Sequence, residues 1–399
     1  MTKNTGGQAY FLNEDANSEW MKEKCYGELK RNMGRRKGFD AMMKIRCSKG
    51  LAIEKMYGNM NEVNPTEMDI ANIDEDKTYV FTLKLTDKKD VREKAVIQIA
   101  LVYTTEDGKR RIRVHTLGLS YNAYLTEIFK NSDLDSCVSI LSRMGVEKGI
   151  EEGLKVGRVF IAEKVSEMLA VYRNNCAKNP SPGQLVLPET LKLLPVYSLG
   201  ILKNKLMRPG SDISLDERVF LMHLLSTLPA SKVMKLFYPS LYNMNSFFHF
   251  LQENPSYLDF SETQSFPLDK STFLPSRLLK SSIEKDNFYL MDNGNHLYLW
   301  VSSGVDSNVL QQLLNIDSMQ DLKLQKILVT PQENHLSQYF WKFVSTLRSN
   351  SPTFPVLFAV KSGEPLAFEF YQSLIEDKAQ DMNYVDFLRH LHKTITKAN

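Results

Sequence analysis

The sequence predicts a multidomain α+β protein: a β-sandwich, then an all-α helical domain, then a mixed α/β domain. Three observations predict it. Apolar residues alternate at period two from 39 to 120, and recur at helical spacing from 121 to 250. Beyond a Ser/Pro/Asp/Thr-rich stretch at 251–275, short strands and helices intermingle up to 399. A length of 399 residues suits two to four domains rather than one.

The elements follow in order. Thr5-Gly6-Gly7 reads as a turn, and residues 13–37 as a helix whose face carries Met21, Cys25, Leu29 and Met33 every four residues. From Phe39 the period is two: Phe39, Ala41, Met43, Ile45 and Cys47 form one face, while Lys44 and Arg46 lie on the other. The alternation returns at Tyr79–Leu85 and Ala95–Tyr103, then after Asp107-Gly108 at Ile112, Val114 and Thr116. Asp-Gly between alternating runs predicts a type I′ hairpin. Ile150, Leu154, Ile161, Val165, Leu169 and Tyr172 then make one helical stripe, and residues 179–183 a loop. A further helix from about Pro188 contains Pro195, which should kink it. Ser214-Leu215-Asp216-Glu217 is a capping box opening another. After the linker, Phe288–Asp292 and His296–Ser302 read as strands joined by a second type I′ signal, Asn293-Gly294. A helix at 306–315, a strand at Phe354–Val360 and helices at 365–376 and 384–397 complete the chain.

Composition excludes several function classes. Apolar residues make up 43% and charged residues 24%, and the net charge of +3 (50 basic against 47 acidic) names no partner by itself. No run of about 18 uncharged apolar residues marks a membrane span. The opening residues carry no apolar secretory stretch. The four cysteines are scattered without a C-x-x-C pair, which gives no disulfide framework or zinc ribbon and suits a reducing, cytosolic setting. There is no P-loop, dinucleotide fingerprint, zincin motif or nucleophile elbow, so no catalytic residue, cofactor site or metal site is expected. His390 and His392, two apart on a helix, do not share a face, and His115 reads as a strand-face residue beside Arg111 and Arg113. Asp292–Asn295 lacks the closing Glu of a calcium loop.

The basic residues are uneven. Nine fall between 26 and 55, among them Arg35, Arg36, Lys37, Lys44 and Arg46, and a second cluster is Lys109, Arg110, Arg111 and Arg113. Lys44 and Arg46 share one strand face, as do Arg111 and Arg113. If their strands are neighbours, the β domain presents a positive surface suited to anionic lipid. No aromatic stacking pattern accompanies these bases, which argues against nucleic acid.

Several strings resemble the Sec-twenty-four cargo-adaptor subunit of the COPII vesicle coat. They are Thr5-Gly6-Gly7, GFDAMMKIRCSKGL (38–51), MYGN (56–59), GKRRIRVHTLGL (108–119), LPETLKLLPVY (187–197), LDERVFLMHLLSTLP (215–229), YPSLY (238–242), FYLMDNGNHLYLWV (288–301) and LIEDKAQDMNYVDFLRHLHKTI (374–395). They occur in family order across nearly the whole chain. The resemblance implies the last helix of a trunk domain at 1–38, a β-sandwich at 39–120, a helical domain at 121–250, a linker at 251–275 and a gelsolin-like domain at 276–399. The chain is thus expected to be a C-terminal portion, with the family's zinc finger and most of the trunk upstream.

The resemblance also implies function. Family members are not enzymes. They bind sorting signals in cargo tails and SNARE peptides on the cytosolic face of the endoplasmic reticulum, pair with a sister GTPase-activating subunit mainly through the trunk, and lay a basic face on the membrane. The basic residues named above would form that face. An aromatic late in the chain, Phe370 or Tyr371, would serve a cargo pocket. The competing readings are an actin-binding gelsolin-like protein, the sister subunit itself, and an unrecognised hydrolase or transferase.

Overall fold

The computed structural model describes residues 2–12, 18–87, 94–177, 181, 183–253, 275–318, 327–328, 330–361, 365–378 and 382–397. The chain divides into two compact units. One comprises Met1–Asn13, Met33–Val233 and Arg389–Asn399, and the other Glu14–Asn32 and Met234–Leu388.

In chain order the first elements are the short helix α1 (Thr2–Thr5), α2 (Glu19–Gly34) and seven strands: β1 (Lys37–Cys47), β2 (Leu51–Tyr57), β3 (Asn61–Asn64), β4 (Glu67–Asp74), β5 (Val80–Leu85), β6 (Lys94–Thr105) and β7 (Arg110–Ser120). Five strands form one sheet in the order β3-β4-β1-β6-β7, and β2 and β5 pair as a separate two-stranded layer. The layers meet through a methionine-rich core: Met43, Ile45, Met56, Met60, Met68, Ile70 and Ile97. The expected sandwich is therefore present, with unequal sheets.

Two local expectations are corrected. The β6–β7 connection is a hairpin, but only Gly108 of its turn has positive φ (78°), with Gly108 N–H donating to Thr105 O at 2.9 Å. That is a type I turn followed by a left-handed glycine, since type I′ needs positive φ at both central residues. In β1 the pairing shifts between Phe39 and Met42, and Asp40 has φ 47°. This bulge reverses the parity, so Phe39 is exposed while Ala41, Met43 and Ile45 are buried.

Helices α3 (Leu125–Lys130), α4 (Leu134–Glu152), α5 (Leu154–Asn175), α6 (Leu194–Lys203), α7 (Leu215–Thr227) and α8 (Ala230–Phe237) follow. The expected stripe from Ile150 to Tyr172 is split by Gly153 (φ 103°), which leaves Ile150 on α4 and exposed. α4 and α5 cross at glycines: a Cβ on Gly157 would stand 2.4 Å from Gly145 O and 2.8 Å from Gly149 N. Pro195 does not kink a helix. It lies in the first turn of α6, where its missing N–H leaves no bond unmade. Ser214 Oγ accepts from Glu217 N at 3.1 Å, as the capping pattern predicts, while the Glu217 carboxylate goes to Lys205 at 2.8 Å. Arginines staple the loops here. Arg143 donates to Leu228 O, Arg158 to Leu202 O and Met207 O, Arg173 to Gln184 O and Ser181 O, and Arg218 to the carbonyls of Lys205, Leu206 and Arg208.

The second unit holds β8 (Ser240–Asn243), α9 (Met244–Glu253), β9 (Phe288–Asp292), β10 (His296–Val301), α10 (Ser307–Leu314), β11 (Ile327–Leu328), α11 (His335–Ser349), β12 (Val356–Val360), α12 (Pro365–Gln372) and the first five residues of α13 (Tyr384–Lys397). Its sheet runs β11-β12-β10-β9-β8, with β10 and β12 parallel and the other pairs antiparallel. Helices α9, α10 and α11 contribute Phe247, Leu310, Phe340 and Phe343 to one core with Leu290, Leu297 and Leu299 of the sheet. β8 and α9 were expected to close the helical domain. Pairing of β8 with β9 assigns them to the mixed domain, which therefore begins near 240. Residues 254–274 of the expected linker, and most of the loop at 179–183, lie outside the described residues. The 293–296 turn has positive φ at Gly294 alone, so it too is not type I′.

The face expected to be buried on α2 is mostly exposed: Leu29 is 58% and Met33 73% exposed, and Cys25 is also exposed. Of that face Met21 is buried as expected, and Lys24, Gly27 and Glu28 take the other buried positions. Lys24 and Glu28 form an ion pair at 3.6 Å, and Lys24 Nζ also reaches Asn295 Oδ1 and Phe354 O, each at 3.4 Å. Burial lowers the Lys24 pKa although Glu28 opposes the shift.

The glycine crossing is testable. Gly157→Ala should destabilise the chain by about 1–3 kcal/mol, because backbone rather than a movable side chain blocks the new Cβ. Gly34→Ala, with nothing within 4 Å, should be neutral or slightly stabilising in the same urea titration.

Candidate functional site

The site is built by strand parity. In β1–β6–β7 the register aligns Met43, Leu101 and Arg113, then Ile45, Ile99 and His115, on the core-facing side. It aligns Lys44, Ala100 and Val114, then Arg46, Gln98 and Thr116, on the outer side. Arg111 lies opposite Tyr103 on the core-facing side. A charged pair on that side would ordinarily be buried, but the two-stranded layer reaches only β4, β1 and part of β6, and all of β7 is exposed.

The expected single positive face is thus corrected. β6 separates β1 from β7, and the two basic pairs point to opposite sides. On the outer side Lys44 is paired with Glu67 at 3.4 Å and Arg46 is exposed. Arg110 clamps the β1 bulge, donating to Asp40 O at 2.7 Å, Asp40 Oδ2 at 2.9 Å and Thr104 Oγ1 at 2.9 Å.

The core-facing side forms a cleft of about 470 Å³. Gly38, Ile73 and Tyr103 line its apolar part, and Arg36, Lys37, Arg111 and Arg113 its basic part. Gly38 permits this packing, because a Cβ there would be 2.6 Å from the Tyr103 ring and 2.9 Å from Ile73. Four acids also line the cleft, and each is engaged. Asp107 is held by Lys109 at 2.7 Å, and that bond with one from Thr105 keeps its carboxyl below the usual range. Glu106 accepts from Lys37 N at 3.2 Å, and Glu75 stands 4.0 Å from Arg36. Asp74 is buried between Arg35 and Lys77, each at 3.5 Å. Among the described residues Arg111 and Arg113 have no ion-pair or hydrogen-bond partner.

Arg35 was expected on the accessible basic face. It is 3% exposed and bound to Asp74 and Asp76, so it supports the cleft from within. Lys77 completes this cluster by donating to Asn72 O at 3.1 Å, to Asn72 Oδ1 and to Gly6 O. Burial lowers its pKa, against the opposing pull of Asp74. Sequence reasoning missed Gly38, Ile73, Tyr103 and Asp74. Their roles depend on cross-strand register, which no local pattern marks.

In the other unit Phe370 is fully buried, stacked on Trp300 with centroids 4.7 Å apart, so it cannot line an open pocket. Tyr371 meets Trp300 edge-on at 5.0 Å and lies under Lys280 Nζ at 5.1 Å. Of this aromatic run Phe368 is the exposed member, at 52%. Ala367 and Phe370, three apart on α12, take the buried face.

Comparison with known proteins then decides the family. Residues 38–122 match the Sec23/Sec24 beta-sandwich domain, residues 133–235 the Sec23/Sec24 helical domain, and residues 271–339 a gelsolin repeat. The chain belongs to the Sec23/Sec24 family. It is 29% identical over 395 residues to human protein transport protein Sec24C, covering 98% of this chain and 34% of that protein. It is 31% identical to human Sec24B, covering 94% and 29%, and 31% identical to SEC24 A of Arabidopsis thaliana, covering 99% and 37%. A crystal structure of the human COPII-coat protein Sec24c superposes with a TM-score of 0.84 at 28% identity, covering 97% of this chain and 48% of that one. The chain spans about a third of the length of these curated relatives. Among its described residues no helix is long and apolar enough to cross a membrane.

The Asp74 cluster under the cleft gives a prediction. Asp74→Ala leaves Arg35 and Lys77 buried without their shared carboxylate and should cost about 3–5 kcal/mol in urea unfolding.

Proposed function

We propose that this chain is a non-catalytic, cargo-adaptor portion of a COPII coat subunit, acting in vesicle transport from the endoplasmic reticulum and gripping short acidic sorting segments in the sandwich cleft. One observation carries the reading: Arg111 and Arg113, both unpaired among the described residues, project two residues apart from an exposed edge strand into a cleft with an apolar floor. Side chains at i and i+2 of a strand stand about 7 Å apart on one face. An extended peptide has the same repeat, so carboxylates two positions apart can meet both guanidiniums while an intervening apolar side chain turns the other way. Arg–carboxylate bonds supply orientation and a salt-sensitive on-rate. Modest affinity is sufficient where many copies act together in a coat.

The names of the relatives support the transport role. Contact with the sister GTPase-activating subunit, with SNARE peptides and with the cytosolic face of the endoplasmic reticulum belongs to the same reading and rests on family membership. The outer face offers anionic lipid less than the sequence suggested, because Lys44 and Arg110 already have acidic partners. Two of the three matched domains are described as Sec23/Sec24 domains, which favours a coat role over actin binding.

The test is a fluorescence-anisotropy titration with a labelled hexapeptide carrying two Asp residues two positions apart. Binding should be saturable and weaken with salt. Arg111→Glu and Arg113→Glu should each weaken it about tenfold or more. Equal binding of a peptide with Asn in place of Asp, or no effect of either substitution, would count against the cleft.

A further inference from the structure

β7 is an edge strand with its second edge open. It pairs with β6 from Arg110 to Ser120 without a register shift. The ladder fixes which way each backbone group points. Thr105 N–H donates to Lys109 O at 2.9 Å, so Thr105 and Lys109 face each other as a bonded pair. Bonded and non-bonded pairs alternate along an antiparallel ladder. Arg111, Arg113 and His115 therefore direct their N–H and C=O to β6, while Ile112, Val114, Thr116 and Gly118 direct theirs outward. Ser48 N–H donating to Val96 O at 2.8 Å agrees, because Val96, opposite Gly118, turns its backbone away from β7. Among the described residues no backbone group meets these four from the open side.

Natural sheet edges are commonly shortened, bulged or interrupted by proline, which prevents strand addition. The other edge of this sheet follows that rule: β3 has four residues and a register shift between Glu62 and Asn64. β7 has eleven residues, no proline and no bulge, and all of them are exposed. Its two sides differ. Ile112 (70% exposed) and Val114 (54%) stand on the outer side, opposite Val102 and Ala100 of β6, while Arg111 and Arg113 stand on the side of the cleft.

We propose that an extended partner segment alternating acidic and β-branched residues adds to β7 as a sixth, antiparallel strand. The inference rests on the cleft reading above and gives its binding mode. Backbone selects the class of occupant, since a row of alternate N–H and C=O groups is satisfied in register by another strand. Charge selects its sequence. Residues opposite Ile112 and Val114 form bonded pairs and place aliphatic side chains on the outer side. Residues opposite Arg111 and Arg113 form non-bonded pairs, where side chains stand closest, and carboxylates there meet both guanidiniums. A second copy of β7 cannot supply them, because Arg110–Ser120 contains no Asp or Glu.

The probe is a labelled heptapeptide alternating Val and Asp, titrated into the full chain. Residue-resolved amide exchange by NMR should show Ile112, Val114 and Thr116 exchanging fast without peptide and about tenfold slower or more with it bound. N-methylation of the two central Val residues should weaken binding about tenfold. N-methylation of the Asp residues, whose N–H points away from β7, should change it less than about threefold. Val114→Pro should fold, because the lost N–H bonds nothing in β6, and should weaken binding about tenfold with both arginines in place. If it does not fold, the N-methylated peptides carry the test. Strand addition is overturned if the peptide binds but both N-methylated sets behave alike, or if the three amides stay fast. The cleft reading survives that outcome if Arg111→Glu still weakens binding. If Arg111→Glu leaves binding unchanged, the carboxylate match fails and the inference fails with it. Protection of the same amides in the concentrated chain without peptide would show self-pairing and also overturn it.

Discussion

The functional reading depends on a mismatch between two sheets. A five-stranded sheet faces a two-stranded one, so its core-facing side is covered over β4, β1 and part of β6 and open at β7. Strand parity then places Arg111 and Arg113 on the side that holds Met43 and Ile45, while edge position keeps them in water. Bases on a fully covered face would carry a desolvation cost of several kcal/mol each. Here the same parity that fills the core also builds a cleft whose floor is apolar and whose wall is cationic.

The cleft is stiffened by charges that are themselves hidden. Arg35, Asp74 and Lys77 form a buried cluster beneath it, and Lys77 ties the opening segment to β4 through Gly6 O and Asn72. Burying charge is costly unless every donor finds an acceptor, and Lys77 finds four oxygens across Asp74, Asn72 and Gly6. The helical region uses a related device. Arg143, Arg158, Arg173 and Arg218 end on loop carbonyls, which the helices leave without partners. Among the described residues Arg143 has no ion-pair partner, and burial pulls its pKa down to about 10, so it remains charged at neutral pH.

Much of this was legible in the sequence. The order of sandwich, helices and mixed domain follows from the change of apolar period, and the hairpins at Gly108 and Gly294 from their turn residues. What failed did so where a long-range contact overrides a local pattern. On α2 the apolar stripe at Cys25, Leu29 and Met33 lost the buried face to Lys24 and Glu28, with Lys24 Nζ reaching Asn295 Oδ1 and Phe354 O far along the chain. In β1 the bulge at Asp40, held by Arg110 from two strands away, exposed Phe39. β8 is four residues long, too short to announce itself except through its pairing with β9. At the site, Arg111 and Arg113 were legible as bases, but their opposition to Lys44 and Arg46 required the register. Phe370 was legible as an aromatic and not as a core residue, because only Trp300 stacked upon it shows that.

The central claim is that the two arginines of β7 act on a different face from the bases of β1. Phenylglyoxal footprinting read by mass spectrometry tests it directly, since Arg111, Arg113 and Arg46 are all exposed and buried Arg35 serves as an unreactive control. A saturating acidic peptide should protect Arg111 and Arg113 and leave Arg46 as reactive as before. Equal protection of Arg46, or full reactivity of Arg111 and Arg113 with the peptide bound, would contradict the account.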